Sequence, residues 1–198
     1  MGAQVADALG QYQFFRSRCE FRKSAGEGDD VIVLSGNNKW SPHIHLSFHV
    51  GRNFAAAKPI EKLLGLTPFY YQIHQWSQNT RYAKSLRFAG PCTWSIDINS
   101  PPESLVPEIV AAIHGIADPF LERFAKIEVA RDALATNDPW CVGGSILWRQ
   151  LLVLDLTLND LAHFETWAKS NLKDFSRVQA AEMIAQYHAD TARLASKE

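Results

Sequence analysis

A chain of 198 residues, 46% apolar and 21% charged, can bury about 70% of its unfolded surface, which excludes the disordered class and removes any need for a disulfide or metal to hold a core. Twenty basic against twenty-one acidic side chains leave a net charge of -1, so the molecule as a whole exerts no strong pull on nucleic acid or anionic lipid. Cys19, Cys92 and Cys141 are widely spaced with no Cys-x-x-Cys; this argues against a zinc ribbon or a secreted disulfide framework and points to a reducing, cytoplasmic setting.

The opening "MGAQVADALGQYQ" lacks a basic region followed by an apolar run, so no secretory signal is expected, and Ala6 stands where an acylation motif wants Ser or Thr. "RCEFRK" alternates Cys19 and Phe21 with charged neighbours, and "DDVIVLSGNNK" is a short β-branched run. The two are expected to form a hairpin around the polar "SAGEGDD", with a strand at residues 43–50 beside them. "NFAAAKPIEKLLG" predicts a short helix, with Asn53 as cap, Gly65 as stop and Pro59 limiting or kinking it. Further strands are expected at residues 69–76, 85–88 and 92–99.

From residue 100 the period changes. Leu105, Ile109, Ile113 and Ile116 line one face of a helix expected to end near "ADP", with a second through "PFLERF" and a third through "KIEVARDALATND". Residues 145–158 alternate like a strand, but their Leu-rich composition favours a helix. Two more helices close the chain, the last with Ala180, Ile184, Tyr187, Thr191 and Leu194 on one side. The longest apolar stretch, "LLVLDLTL", is far short of the roughly 20 residues a membrane span needs, so none is expected. Strands first and helices afterwards predict a single α+β domain over 1–198. Its antiparallel sheet comes from residues 1–99 and packs against a helical layer from residues 100–198.

The charge is polarised between these halves. Residues 1–99 hold 11 Lys+Arg and 7 Asp+Glu, and residues 100–198 hold 9 and 14. The first half is therefore net positive and the second net negative.

"SPHIHLSFHVGR" raises the main functional question. If it is extended, Ile44, Leu46, Phe48 and Val50 face the core, while His43, His45, Ser47 and His49 face the other way. His43 and His45 are then about 7 Å apart at their backbones, within reach of one metal, but His45 and His49 are about 13 Å apart. A three-histidine site inside this peptide is excluded, and a metal would need His74, Asp97 or a carboxylate of the acidic half. No His-Glu-x-x-His is present, and neither a metal nor a cofactor is called for. The wet face of a strand accounts for these histidines.

"IHLSF" resembles the strand motif of the two-histidine phosphoesterases, with His45 and Ser47 at the matching places. The resemblance implies a general acid or base at His45. A second such motif is absent, since His74, His114, His163 and His188 lack Ser or Thr two residues on.

"FYYQIHQWSQNTRYAKSLRF" mixes aromatics with Arg81, Lys84 and Arg87, as single-stranded nucleic-acid binders do. Strand packing and the near-neutral chain explain it equally, so nucleic acid is not the expected partner. "CVGGSILW" lacks the Lys of a phosphate loop, and nothing near Cys92 in sequence would activate its thiol.

From "FFRSRCEFRKS" to "VIVLSGNNKWSPHIHLSFHVGRNF", over residues 10–60, the chain resembles small uncharacterised bacterial α+β domains, some of which stand beside toxin genes and are regarded as immunity proteins. That resemblance implies a fold and a protein partner, and it transfers no functional residue. The expectation is a cytoplasmic, non-catalytic protein that binds another macromolecule, as an immunity protein or adaptor does. The patch it would use comprises His43, His45 and His49, with Arg52 and Trp40 at the strand ends. The alternative is a metal-dependent or two-histidine enzyme centred on His45.

Overall fold

A computed structural model describes residues 1–37, 43–66, 73–76, 93–97, 102–141 and 147–196. The architecture is α+β, with an antiparallel sheet in the N-terminal half and helices in the C-terminal half. Helix α1 (Gly2–Leu9) opens the chain. Strands β1 (Gln13–Phe15), β2 (Glu20–Ala25), β3 (Gly28–Asn37) and β4 (His43–Phe54) then pair in sequence order. The outer edge of β4 is shared end to end: β5 (Ile73–Trp76) pairs with residues 49–52, and β6 (Thr93–Asp97) pairs with residues 43–47. The expected hairpin is β2–β3, with a turn much tighter than "SAGEGDD", since Ala25 already pairs with Gly28. Gly28 is required there, because a Cβ would sit 1.8 Å from the Asn53 carbonyl oxygen.

Alternation along β4 sorts its residues as expected. Leu46, Phe48 and Val50 are buried on one face, beside Phe21, Ile32 and Leu34 of the neighbouring strands, and Trp94 stacks on Phe48 at 6.2 Å between centroids. Strand β4 does not stop at Gly51, however, but runs on to Phe54. Asn53 is therefore a strand residue and not a helix cap. The helix behind it begins with a 3-10 turn, Ala55–Ala57, and continues as α2 (Lys58–Leu63), with Pro59 in its first turn, where a missing N–H costs nothing. Gly65, at φ +62°, ends it as expected.

The helices expected on either side of "ADP" are a single run, α3. A 3-10 turn (Pro102–Leu105), an α segment (Val106–Ala112), a π turn (Ile113–Ala117) and a second α segment (Asp118–Arg123) follow without a break. Proline inside a helix lacks a donor and clashes with the carbonyl four residues back. Widening the turn just before Pro119, where the Asp118 N–H reaches back five residues to Ile113 O, lets the helix pass it. The joined run Glu103–Arg123 is long and apolar enough to cross a membrane, contrary to the expectation from shorter stretches. Ile109, Ala112, Ile113, Ile116, Ala117 and Phe120 are all fully buried in the protein's own core, and the run also carries Glu108, Asp118 and Glu122. It is the central helix of the core.

Helix α4 (Ile127–Ala135) follows, and α5 (Leu147–Thr157) settles the ambiguous segment as a helix. Helix α6 (Leu161–Asn171) is capped by the Asp160 carboxylate, which accepts from the His163 N–H, and α7 (Asp174–Ala195) closes the chain. Ala180 of α7 is buried, and Ile184 and Tyr187 pack against the core, as the predicted face requires. Leu194 is exposed, as are Phe175 and Val178 at the start of the helix. Side-chain hydrogen bonds tie the two halves together: Tyr12 Oη to Asp118 Oδ1 at 3.4 Å, Trp94 Nε1 to Glu108 Oε2 at 3.1 Å, and the Ile127 N–H to Glu27 Oε2 at 3.0 Å.

Candidate functional site

The face of the sheet opposite the core carries the histidines. Register places His45 between Asn37 on β3 and Ser95 on β6, Ser47 between Ser35 and Thr93, and His49 between Val33 and Trp76. His43 lies opposite Asp97, so that carboxylate shares an end of the sheet with two histidine positions. The strand stays extended throughout, which keeps His45 and His49 about 13 Å apart. Among the described residues no group of three His, Cys, Asp or Glu side chains could hold a metal ion.

This face is less uniformly wet than alternation alone predicts. His45 is exposed, but Ser47 is buried and His49 is half-buried. Burial lowers the His49 pKa below the usual 6.5, because removing the imidazole from water penalises its cationic form. Val31, on the same face, is fully buried.

Arg52 does not belong to this face. It falls in step with Leu46, Phe48 and Val50, points to the core side and is 2% exposed. Its guanidinium pairs through Nη1 with Asp30, directly opposite on β3, and through Nη2 with the Ala25 carbonyl, while Nε has no partner. Lys23 Nζ lies 3.6 Å from Asp30 on the other side and 4.9 Å from the centre of the Tyr12 ring. Burial raises the Asp30 pKa against the pull of Arg52 and Lys23. It also raises that of Tyr12, helped by the Asp118 and Asp30 charges. A small cleft of about 290 Å³ opens over this group, with Asp118 and Glu122 on its far wall. Two cations, three carboxylates and a phenol held well above its ordinary pKa gather here. Trp40, the remaining member of the expected patch, lies outside the described residues, as do residues 77–92 and 142–146, with Cys92 and the double glycine among them.

At the far end of the histidine face the structure assembles a feature that the sequence left scattered. A cleft of about 650 Å³ is lined by Arg18, Arg22, Asn53, Lys58, Glu61, Lys62, Gly65 and Leu66. Arg22 and Asn53 come from β2 and β4, Arg18 from the turn before β2, and the remaining side chains from α2 and its end. Two of the cations are braced from behind. Arg22 Nε donates to Glu20 Oε1 at 2.9 Å, and Lys58 Nζ lies 2.8 Å from Asp29 Oδ2. Burial alone would raise the Asp29 pKa, but Lys58, Ser24 and Arg22 together outweigh it and hold the carboxylate below its ordinary value. Asn53 is 8% exposed, and its Oδ1 has no hydrogen-bond partner. Continued alternation through "HVGRNF" sends consecutive residues Arg52 and Asn53 to opposite faces, which marks the side of Asn53 but not the company it keeps there.

A third constellation joins the helices. Asp155, fully buried on α5, lies with both carboxylate oxygens 2.9 Å from His163 Nδ1 on α6, and Arg131 Nη1 of α4 reaches Asp155 at 3.3 Å and Asp160 at 3.1 Å. Three consecutive helices are clasped at one carboxylate, with His163 hydrogen-bonded at their interface. Cys141 is buried and its thiol is pushed up to about 12, chiefly by burial, so it stays protonated and inert.

No protein-family model matches the chain, and no curated protein or solved structure matches it.

Proposed function

We propose that the protein is a non-catalytic binding protein, of the immunity or adaptor kind, that engages an acidic segment of another protein across the histidine face of its sheet. The observation that carries this reading is the spread of polar groups along one side of the sheet. A strand of 12 residues carries exposed His45 and half-buried His49 and ends, beyond the covered Val31 and Gly51, at a cleft bearing Arg18, Arg22, Lys58 and Lys62. Separated imidazoles and spread cations suit an extended partner, because complementary charge steers and orients association. Glu20, Asp29 and Glu61 are interleaved with those cations, which favours a protein partner over the denser charge of nucleic acid. Cys19 and Cys141 are free thiols, in keeping with a cytoplasmic setting. The enzyme alternative requires a second acid or base within reach of His45, and its register partners are Asn37 and Ser95.

The test is stoichiometric co-purification of untagged protein from its native lysate. We expect one acidic polypeptide in fixed proportion, lost on His45→Glu and retained on Glu165→Lys, an exposed position of α6. An unchanged ratio in His45→Glu overturns the reading. So does hydrolysis of a cyclic phosphodiester by the purified protein that His45→Ala abolishes.

A further inference from the structure

We infer that the basic cleft at the end of the histidine face is a binding site for a phosphate monoester whose body carries a further hydrogen-bond donor. This goes beyond the protein-binding reading, and the two can fail separately.

The cleft walls provide two guanidinium groups and two ammonium groups, from Arg18, Arg22, Lys58 and Lys62. Planar guanidinium forks match phosphate oxygens, and ammonium groups add compact charge with donors that can rotate. Arg22 is fixed on one side by Glu20 and Lys58 by Asp29, so the lining is partly organised before a ligand arrives. Against the four cations stand Glu61 within the cleft and Glu20 and Asp29 behind it. The balance is one net positive charge, which leaves room for an anion without requiring a large one.

Asn53 gives the site its second element. A buried polar atom with no partner is costly, and Asn53 Oδ1 is such an atom on a residue that lines the cleft. A ligand hydroxyl or amine that packs beside Asn53 would supply the donor this acceptor lacks. The four cations donate to the phosphate, Asn53 accepts from the rest of the molecule, and Leu66 supplies an apolar wall. At about 650 Å³ the cleft exceeds what a bare anion fills and lies within the size range of sites for small organic ligands. Such a phosphate could come from a free metabolite or from a phosphorylated side chain on a partner.

The test is calorimetric titration at low ionic strength and pH 7.5, using glycerol 3-phosphate, a phosphoserine-containing peptide, inorganic phosphate and glycerol. We expect saturable binding of at least one ester, tighter than inorganic phosphate, and no binding of glycerol. The tighter ester identifies the source. Arg18→Gln and Lys62→Gln, both exposed positions, should each weaken ester binding about tenfold, the lower end of the effect of a charged hydrogen bond. Asn53→Leu should erase the preference for the ester over inorganic phosphate. A thermal melt on each variant identifies any loss of fold, and the two exposed substitutions keep the test decisive if Asn53→Leu melts early. Equal affinity for inorganic phosphate and both esters overturns the assignment, as does unchanged binding in the Arg18→Gln/Lys62→Gln double variant or no saturable binding of any anion. Ester binding retained by His45→Glu, the variant expected to lose the co-purifying polypeptide, separates the failure of this site from the failure of the protein-binding reading.

Discussion

Arg52 and Asn53 are neighbours in the chain that point to opposite sides of the same strand, and the two sides treat charge differently. On the core side the Arg52 guanidinium is buried and paired with Asp30 and the Ala25 carbonyl. On the other side four cations line an open cleft, two of them braced by carboxylates. Desolvated and paired, the first group is architecture: removing one partner strands the other in a medium that cannot solvate it. Clustered around an open cleft, the second adds little to stability and lies where a ligand can reach it. A charged residue on a strand is thus to be interpreted by the face it occupies.

The contrast predicts a graded series of effects. Arg52→Met should be among the most damaging, costing about 3–5 kcal/mol in urea unfolding by leaving the buried Asp30 with only Lys23 beside it. Arg52→Met combined with Asp30→Leu should recover most of that loss, and a double variant as unstable as the single one would break the comparison. Phe48→Ala, on the same face and almost fully buried, should cost about 3–5 kcal/mol through loss of burial and a cavity; a much smaller loss would mean that the core side is looser than described.

His49 lies between the extremes. Its pKa is lowered by burial in the folded protein, so between that value and 6.5 the unfolded chain binds more protons than the native one. Its contribution is therefore complete above pH 6.5 and lost as pH falls through the folded value. The urea midpoint should decline as pH is taken from 7 toward 5, and His49→Gln should flatten that part of the decline. A slope unaltered by the substitution would remove His49 from the account. The smallest effects belong to the open side, where His45→Ala and Lys62→Gln should each change stability by no more than about 0.5 kcal/mol.

Much of this frame was legible in the sequence, and the failures have physical causes. Period two through residues 44–50 put Leu46, Phe48 and Val50 on the core face, but it did not show that Ser47 and His49 on the other face are also covered, wholly or in part. Arg52 was misplaced because Gly51 read as the end of the strand; carrying the alternation to Phe54 puts Arg52 inside. Helix α5 could not be told from a strand by periodicity because Leu151, Leu152, Val153, Leu154, Asp155 and Leu156 are all buried. A helix surrounded on every side has no polar stripe to reveal its period. Pro119 read as a helix boundary because the rule assumes an α register, and the π turn evades it. The basic cleft was invisible because Arg18, Arg22, Asn53, Lys58 and Lys62 become neighbours only through strand pairing and the docking of α2, lateral relations that patterning along one segment does not encode. The clasp of Asp155, His163 and Arg131 was missed for the same reason.

The central claim is that the sheet has one side where charge is buried and paired and one side where it binds, and amide NMR during titration with the tighter-binding of the two phosphate esters tests it most directly. The account predicts saturable shifts concentrated at residues 18–22, at Asn53 and over residues 58–66, with the amides of Tyr12, Lys23, Leu121 and Ala125, around the Arg52 cleft, unmoved. Shifts centred on the Arg52 cleft, or on the clasp of Asp155 and His163, would contradict it.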